Sequence, residues 1–493
     1  MGTEREGINF TSLGSGDEAQ DQISLENADS GWLESFKNIR SEPWFQVFLI
    51  SFVCFCCPGI YNALGGMGGS GQVDPTVAAN ATVALLSTSA ISAVFFVAPL
   101  YELIGPNICV LIGGWTYALY SGSLLNYNHH QNSTFVIVSG AILGIGASFL
   151  WVPQGVIMTT YINESQKGRS IAVFWIIFNL GGTIGSLASF GLNYHSSVGT
   201  VSDFTYIAYI VIMLSGWLLG SLLLCPAAKL NYKYQGERNS AVAKRYQGIS
   251  LKKIIEMVKL ALSILCDWNI IFLLPMFLYA NVFYSYQQNI VNGSTFNIRT
   301  RSLNGALYWF AQIFGGITMG ALLDTRHLNR RKRALMGWAV LSIFGMVVWG
   351  GGYKFQLWSS KRILDGHKQD LDFTDKQAIG PMFLYIFYGM FDALWQAYSY
   401  WIIGTKSNAP VINAILVGAY KTCQATGGAM AWRLNALGMA PMSQLALNWA
   451  LTMAALVCVL PGVYKITDSN VKETGQETEN IEGHTIIVLA KNS

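Results

Sequence analysis

Two ionisable residues, Asp392 and Lys421, sit near the middle of consecutive apolar runs. If those runs cross a bilayer, each charge costs roughly 2.5–3.5 kcal/mol at the centre. Opposite charges at similar depth can offset one another by pairing, so the spacing raises direct Asp392–Lys421 contact as a proposal. Asp392, Gln396 and Ser399 are spaced i, i+4, i+7 on one helical face, and Lys421, Gln424 and Gly428 share a face likewise. Two polar stripes on neighbouring helices imply a shared hydrated pocket or a packed polar seam. Two chemistries stay open. Asp392 is either a proton or cation site whose affinity balances burial against a nearby ammonium, or half of a fixed interhelical salt bridge.

Weaker polar signals lie in the first half. Asn62, Gln154 and Asn179 either line a central cavity or bond across helices for roughly 0.6 kcal/mol each. Glu102 and Arg433 stand at run ends, where snorkelling accounts for them. Pro58 and Gly59 interrupt the first run, ahead of the glycine-rich stretch Gly65 to Gln72. A broken helix can expose backbone groups to a cavity, while loop flexibility explains the glycines equally well. No Lys-Ser/Thr follows, so this is not a phosphate loop. The six histidines form no catalytic or metal-binding spacing with acids, which argues against an enzyme, a metal site or a cofactor. All eight cysteines fall in or at the edge of apolar runs, so no disulfide framework is expected.

The elements that must position these residues are apolar runs of about 20 residues, each able to cross a core of roughly 30 Å as a helix. A hydrophobic share of 52% against a charged share of 12% excludes an ordinary soluble domain. The runs fall near 44–64, 81–101, 108–125, 135–160, 170–192 and 204–225, then 269–289, 302–323, 335–352, 380–403, 411–433 and 442–464. This predicts an all-α polytopic membrane protein of twelve transmembrane helices in two six-helix bundles. The units are a polar tail (1–43), a first bundle (44–225), a basic linker (226–268), a second bundle (269–464) and a second tail (465–493). About forty polar residues precede the first run, which is expected to act as its own signal anchor.

Loops 65–80, 126–134 and 193–203 hold no Lys or Arg, whereas the alternate loops hold Lys167, Arg169, Lys229 and the cluster Arg330–Arg333. The positive-inside rule then places both termini in the cytoplasm, with plasma membrane and endomembrane both open. Basic clusters beside membrane runs favour lipid contact over nucleic acid. Within 251–265 apolar and charged residues separate onto two faces, giving either an interfacial helix or a polar extension of the seventh run. Residues 353–378 read as a long solvated loop. Of the sequons, Asn80, Asn132 and Asn292 lie on the side opposite the basic loops and are glycosylation candidates.

Six runs, a basic loop and six more suggest two bundles around a central cavity, the major facilitator superfamily architecture. Gly320, Asp324, Arg326 and Arg330 resemble that superfamily's cytoplasmic gate signature, a glycine, an acid and then a basic cluster. Topology marking explains the cluster equally, and the place after the second run (Glu102, Gly105, Pro106) has no basic cluster. The chain also resembles the fungal and plant branch of the Unc ninety-three-like family, on Pro58 to Asn62, Lys167-Gly168-Arg169, Phe174-Trp175, Phe178 to Gly181, Tyr388 to Gly404 and Tyr420 to Arg433. The resemblance implies a transporter fold, with some members described as potassium-channel regulators or receptor-trafficking partners. The expected function is secondary transport of a small solute or ion by alternating access, with proton coupling open. The alternative is a non-transporting accessory partner of a channel or receptor. The expected pathway residues are Asp392, Lys421, Gln396, Gln424, Asn62, Asn179 and Gln154.

Overall fold

The computed structural model describes residues 34–66, 75–193, 203–230, 251–366 and 371–468. The long helices are α1 (Pro43–Gly65), α2 (Pro75–Ser92), α3 (Ala98–Gly113), α4 (Thr116–His130), α5 (Ser133–Thr160), α6 (Lys167–Asn193) and α7 (Asp203–Leu223). They continue with α8 (Leu251–Leu265), α10 (Ile298–Leu323), α11 (Arg330–Leu364), α12 (Ile379–Lys406), α13 (Pro410–Ala436) and α14 (Pro441–Tyr464), with the short α9 (Leu274–Tyr279) between α8 and α10. Among the described residues the one β-type pairing is an isolated bridge between Phe296 and Leu371. Most of the glycine-rich stretch, the centre of the basic linker and most of both tails lie outside the described residues.

Each of the twelve expected runs is largely helical. By length and composition, nine described stretches can cross a membrane, or ten if the bent pair Val258–Leu265 and Trp268–Tyr279 counts as one. Two causes separate that count from twelve. Asn80–His130 is one stretch of 51 residues, about 77 Å of helix at about 1.5 Å per residue, against a core of about 30 Å. Inside it Gly105 leaves helical geometry, with φ 75 and ψ 172. And α13, although 27 residues long, carries the Lys421 stripe, which lowers its hydropathy.

The helices sort their faces as a lipid solvent requires. On α7, Tyr206, Tyr209, Met213, Gly216 and Gly220 recur at helical spacing and are buried, while Ile207, Val211, Leu214, Leu218 and Leu222 point outward. The two halves meet along two seams, α6 with α10 and α2 with α13, the former the more extensive. A cavity lies between the halves.

Breaks in helices matter most for the site. Around Pro58 the first helix widens into a π-turn, Phe55–Gly59. A Cβ on Gly59 would lie 2.9 Å from the Phe178 carbonyl oxygen, so this glycine serves close packing on α6. The more consequential break is in the seventh run. There α9 ends at Tyr279, and after a turn the chain resumes as a π-helix over Ser285–Gly293. That leaves the Ala280 carbonyl available to side chains. The adjoining α8 is a separate helix turned by 73° from the Trp268–Tyr279 segment, not a straight extension of the seventh run. The loop expected over 353–378 is largely ordered too: α11 runs on to Leu364, and Leu371 docks by hydrogen bonds with Thr295 and Asn297.

Candidate solute site and the closed face

Asp392 is fully buried on α12, and it is not ion-paired with Lys421. The direct pair raised by the sequence gives way to a web of neutral donors. Oδ2 accepts from the Tyr284 hydroxyl at 2.5 Å, the Gln312 amide at 2.8 Å and the Tyr308 hydroxyl at 3.2 Å. Oδ1 accepts from Gln396 Nε2 at 3.2 Å. Tyr308 also lies 2.8 Å from Gln287 Oε1, and its single proton must serve one acceptor or the other.

From Asp392 a hydrogen-bonded relay leads to Lys421. Gln396 Oε1 accepts from the Tyr420 hydroxyl and from Gln424 Nε2, the latter at 3.0 Å. Gln424 Oε1 accepts from Lys421 Nζ at 2.9 Å. The exposed Ala280 carbonyl anchors both amides, accepting from Gln396 at 2.8 Å and from Gln424 at 3.4 Å. Lys421 sits in an aromatic box, with Nζ 4.1 Å from the Trp151 ring centroid, 5.2 Å from Tyr420 and 5.5 Å from Tyr400. Ser399 spends its hydroxyl on its own helix, donating to the Trp395 carbonyl, and stays outside the relay.

Lys421, Gln424 and Gln396 form part of the wall of a cavity of about 300 Å³ between the two halves. Asn62 and Trp151 stand opposite them, and the cavity reaches the helix ends at Gly65, Ala78, Gly293 and Arg301. Gln154 lies beneath the cavity instead of in its wall, accepting from the Tyr400 hydroxyl at 3.1 Å and so bridging the halves. Asn179 turns back onto its own helix, donating to the Trp175 carbonyl at 2.9 Å, and is not in the wall.

At the opposite end the halves are sealed by helix termini that exchange charges. Asp324, just past α10, accepts from the Gly168 and Arg169 backbone amides at 2.9 and 2.6 Å, placing a carboxylate on the N-terminus of α6. In return Lys167, only 2% exposed, donates to the Gly404 carbonyl at 2.5 Å, placing a cation on the C-terminus of α12. Lys167 also donates to Asn408 Oδ1 at 2.9 Å, and Asn408 donates to Glu164. Arg330 is buried, lies 3.7 Å from Glu164 and donates to the Gly404 carbonyl. Burial raises the Asp324 carboxyl above its ordinary range, and the two backbone amides pull it back. Gly320 packs directly on Gly168. Of the expected gate residues, Arg326 alone takes no part in these contacts, being exposed to solvent beyond the end of α10.

The sequon asparagines divide. Asn80 and Asn132 are exposed, the latter capping α5 through the Phe135 amide. Asn292 is 3% exposed, donates to the Arg301 carbonyl and accepts from Asn304. Its side chain is thus held inside the fold, unlike those of Asn80 and Asn132. Other features were invisible in the sequence. Tyr284, Tyr308 and Gln312 looked like ordinary span residues, and only the fold brings them to Asp392. Glu164 and Asn408 gave no signal, while Lys167 read as a topology marker.

The chain matches the family described as "Ion channel regulatory protein UNC-93" over residues 80–459. An UNC93-like protein of Schizosaccharomyces pombe is 40% identical over 421 residues, covering 85% of this chain and 82% of that protein. UNC93-like protein 1 of Arabidopsis thaliana is 40% identical over 425 residues, covering 86% and 90%. Among solved structures, the proton:xylose symporter XylE of the major facilitator superfamily aligns with a TM-score of 0.59 at 10% identity, covering 85% of this chain and 95% of that one. A bacterial homologue of the iron transporter ferroportin in an outward-facing state aligns at 0.56 and 8%, covering 85% and 98%. Sequence and architecture agree, and the chain is a multi-pass membrane protein that belongs to the UNC-93 family and is built on the major facilitator fold.

Proposed function

We propose that this chain carries a small solute across its membrane by alternating access, with Asp392 taking up and releasing a proton during the cycle. The observation that carries this reading is a cavity between the halves that runs to the helix ends at Gly65, Ala78, Gly293 and Arg301, with reciprocal helix-end contacts joining the halves at the opposite end. Such contacts are polar, local and separable, which suits a gate and not a permanently fused interface. In this reading Gly320, Asp324 and Arg330 belong to the gate with Lys167. In this reading the closed face and both termini are cytoplasmic, which the positive-inside rule supports through the basic loops.

The surroundings of Asp392 favour proton coupling. As a carboxylate it accepts up to four hydrogen bonds. As a neutral acid it donates to Tyr308, which then donates to Gln287 at 2.8 Å. Both protonation states find partners without moving the backbone. A dehydrated metal cation fits less well, because the groups turned toward the carboxylate are donors.

The test is solute and proton flux in proteoliposomes, comparing wild type with Asp392→Asn matched for folded protein. Proton-coupled flux is expected in wild type and lost in Asp392→Asn. Wild type that moves nothing across a panel of ions, amino acids, sugars and organic acids overturns the reading. The second reading is regulatory, supported by the family's description as ion channel regulators. It predicts a channel that co-purifies with both wild type and Asp392→Asn.

A further inference from the structure

The charge of the cavity wall bears on what enters it. Among the described residues the wall holds two cationic side chains, Lys421 and Arg301, and no carboxylate. The nearest acid, Asp392, is fully buried behind Gln396, with its oxygens turned to Tyr284, Tyr308 and Gln312. Lys421 donates one hydrogen bond, to Gln424, of the three an ammonium can make.

An aromatic box normally suits a cationic guest, because ring faces attract positive charge. Here the protein supplies the guest itself, since Lys421 occupies the Trp151 face at 4.1 Å. A second cation would meet this ammonium without an acid between them. An anion would meet spare donors and opposite charge. The rest of the wall mixes aromatic rings, with Tyr61, Phe178 and Trp309 prominent, and neutral polar side chains such as Asn62, Asn281 and Gln288. A volume of about 300 Å³ suits a compact molecule.

We infer that the cavity binds a small organic anion, its carboxylate or similar head against Lys421 and its apolar body along the aromatic wall. This rests on the reading of the cavity as a solute site and adds the charge of the solute. Coupled to a proton, such a solute moves without net charge, because the proton carried by Asp392 matches the anion held by Lys421.

The test compares three probes with the same ring, benzoate, benzamide and benzylammonium, binding to the full chain in nanodiscs. The readouts are tryptophan fluorescence and melting temperature. Benzoate is expected to bind at least ten-fold more tightly than either other probe. Lys421→Gln should reduce benzoate to the level of benzamide, and Lys421→Arg should restore the preference. Equal binding of the three probes, or binding of none, overturns the inference, and this wild-type comparison stands even if Lys421→Gln fails to fold. A benzoate preference that persists in Lys421→Gln overturns it as well. Binding needs no turnover, so a benzoate preference without flux supports the anion site while the transport reading fails. Flux of neutral solutes without that preference does the reverse.

Discussion

At the scale of single residues, the decisive fact is that Asp392 and Lys421 communicate without touching. Each stripe was legible as an i, i+3 or i, i+4 spacing, because a polar residue in an apolar run stands out against its background. What lay between the stripes was not legible, since it depends on the unwound turn that frees the Ala280 carbonyl. The relay makes a thermodynamic prediction. Breaking a buried ion pair by removing one partner costs roughly 3–5 kcal/mol, and the two single losses are then strongly coupled. With Gln396 and Gln424 interposed, Asp392→Asn should cost about 1–3 kcal/mol through weakened hydrogen bonds to a charged group. Lys421→Gln should couple to that loss only weakly, by about 0.5–1 kcal/mol, the low end for members of one hydrogen-bond network. A double-mutant cycle on unfolding in detergent measures this directly, and a coupling energy of several kcal/mol would mean a direct pair after all.

At the scale of elements, the connection between α11 and α12 shows how a loop becomes structure. Asp372 accepts from Arg299 Nε and Nη2 at 2.8 and 2.7 Å, and from Asn297, Thr300 and Thr374. This docking brings Phe373 beneath the Arg299 guanidinium, 5.2 Å from it, and against Phe190 of α6 at 6.1 Å, so the loop ties one half to the other. The sequence showed only mixed charge there, because a bidentate pair made across 73 positions leaves no local pattern. The Arg299 guanidinium holds the Asp372 carboxyl well below the usual carboxylate range. A depressed pKa contributes stability that is present above the unfolded value, about 3.9, and is lost as pH falls through the folded value. The Leu371 and Phe373 amides, which donate to Thr295 and Thr300, should therefore stay protected from hydrogen exchange at pH 5. They should lose protection progressively below about pH 4. In Asp372→Asn their protection should already be low at neutral pH. Wild-type protection in that variant would show that the loop is held by its aromatic contacts alone.

At the scale of the whole molecule, the two-bundle plan was legible because hydropathy and charge asymmetry are properties of long stretches. The conformation was not, because the closed face is made of contacts between distant segments. Those contacts identify a position where a minimal change should move the molecule. A Cβ on Gly168 would lie 2.6 Å from Asp324 Oδ1 and 2.7 Å from the Gly320 carbonyl oxygen. The second neighbour is backbone and cannot step aside cheaply, so Gly168→Ala must part the halves at the closed face or displace Asp324. The exchange of helix-end charges contributes up to about 2 kcal/mol per terminus in partly buried geometry. Losing 1–3 kcal/mol shifts a two-state ratio by roughly 5–150-fold. Spin labels on cysteines introduced at the exposed Ser165 and Arg326, with Cys266→Ser to remove the exposed native thiol, report the separation of the two halves at this face. Wild type should give one short distance, and Gly168→Ala should add a longer population at its expense. Lys167→Gln should shift the same balance, because it removes the cation from the end of α12 without adding bulk. If both variants keep the single short distance, the seam is a fixed interface and the family's regulatory description becomes the better guide to this chain.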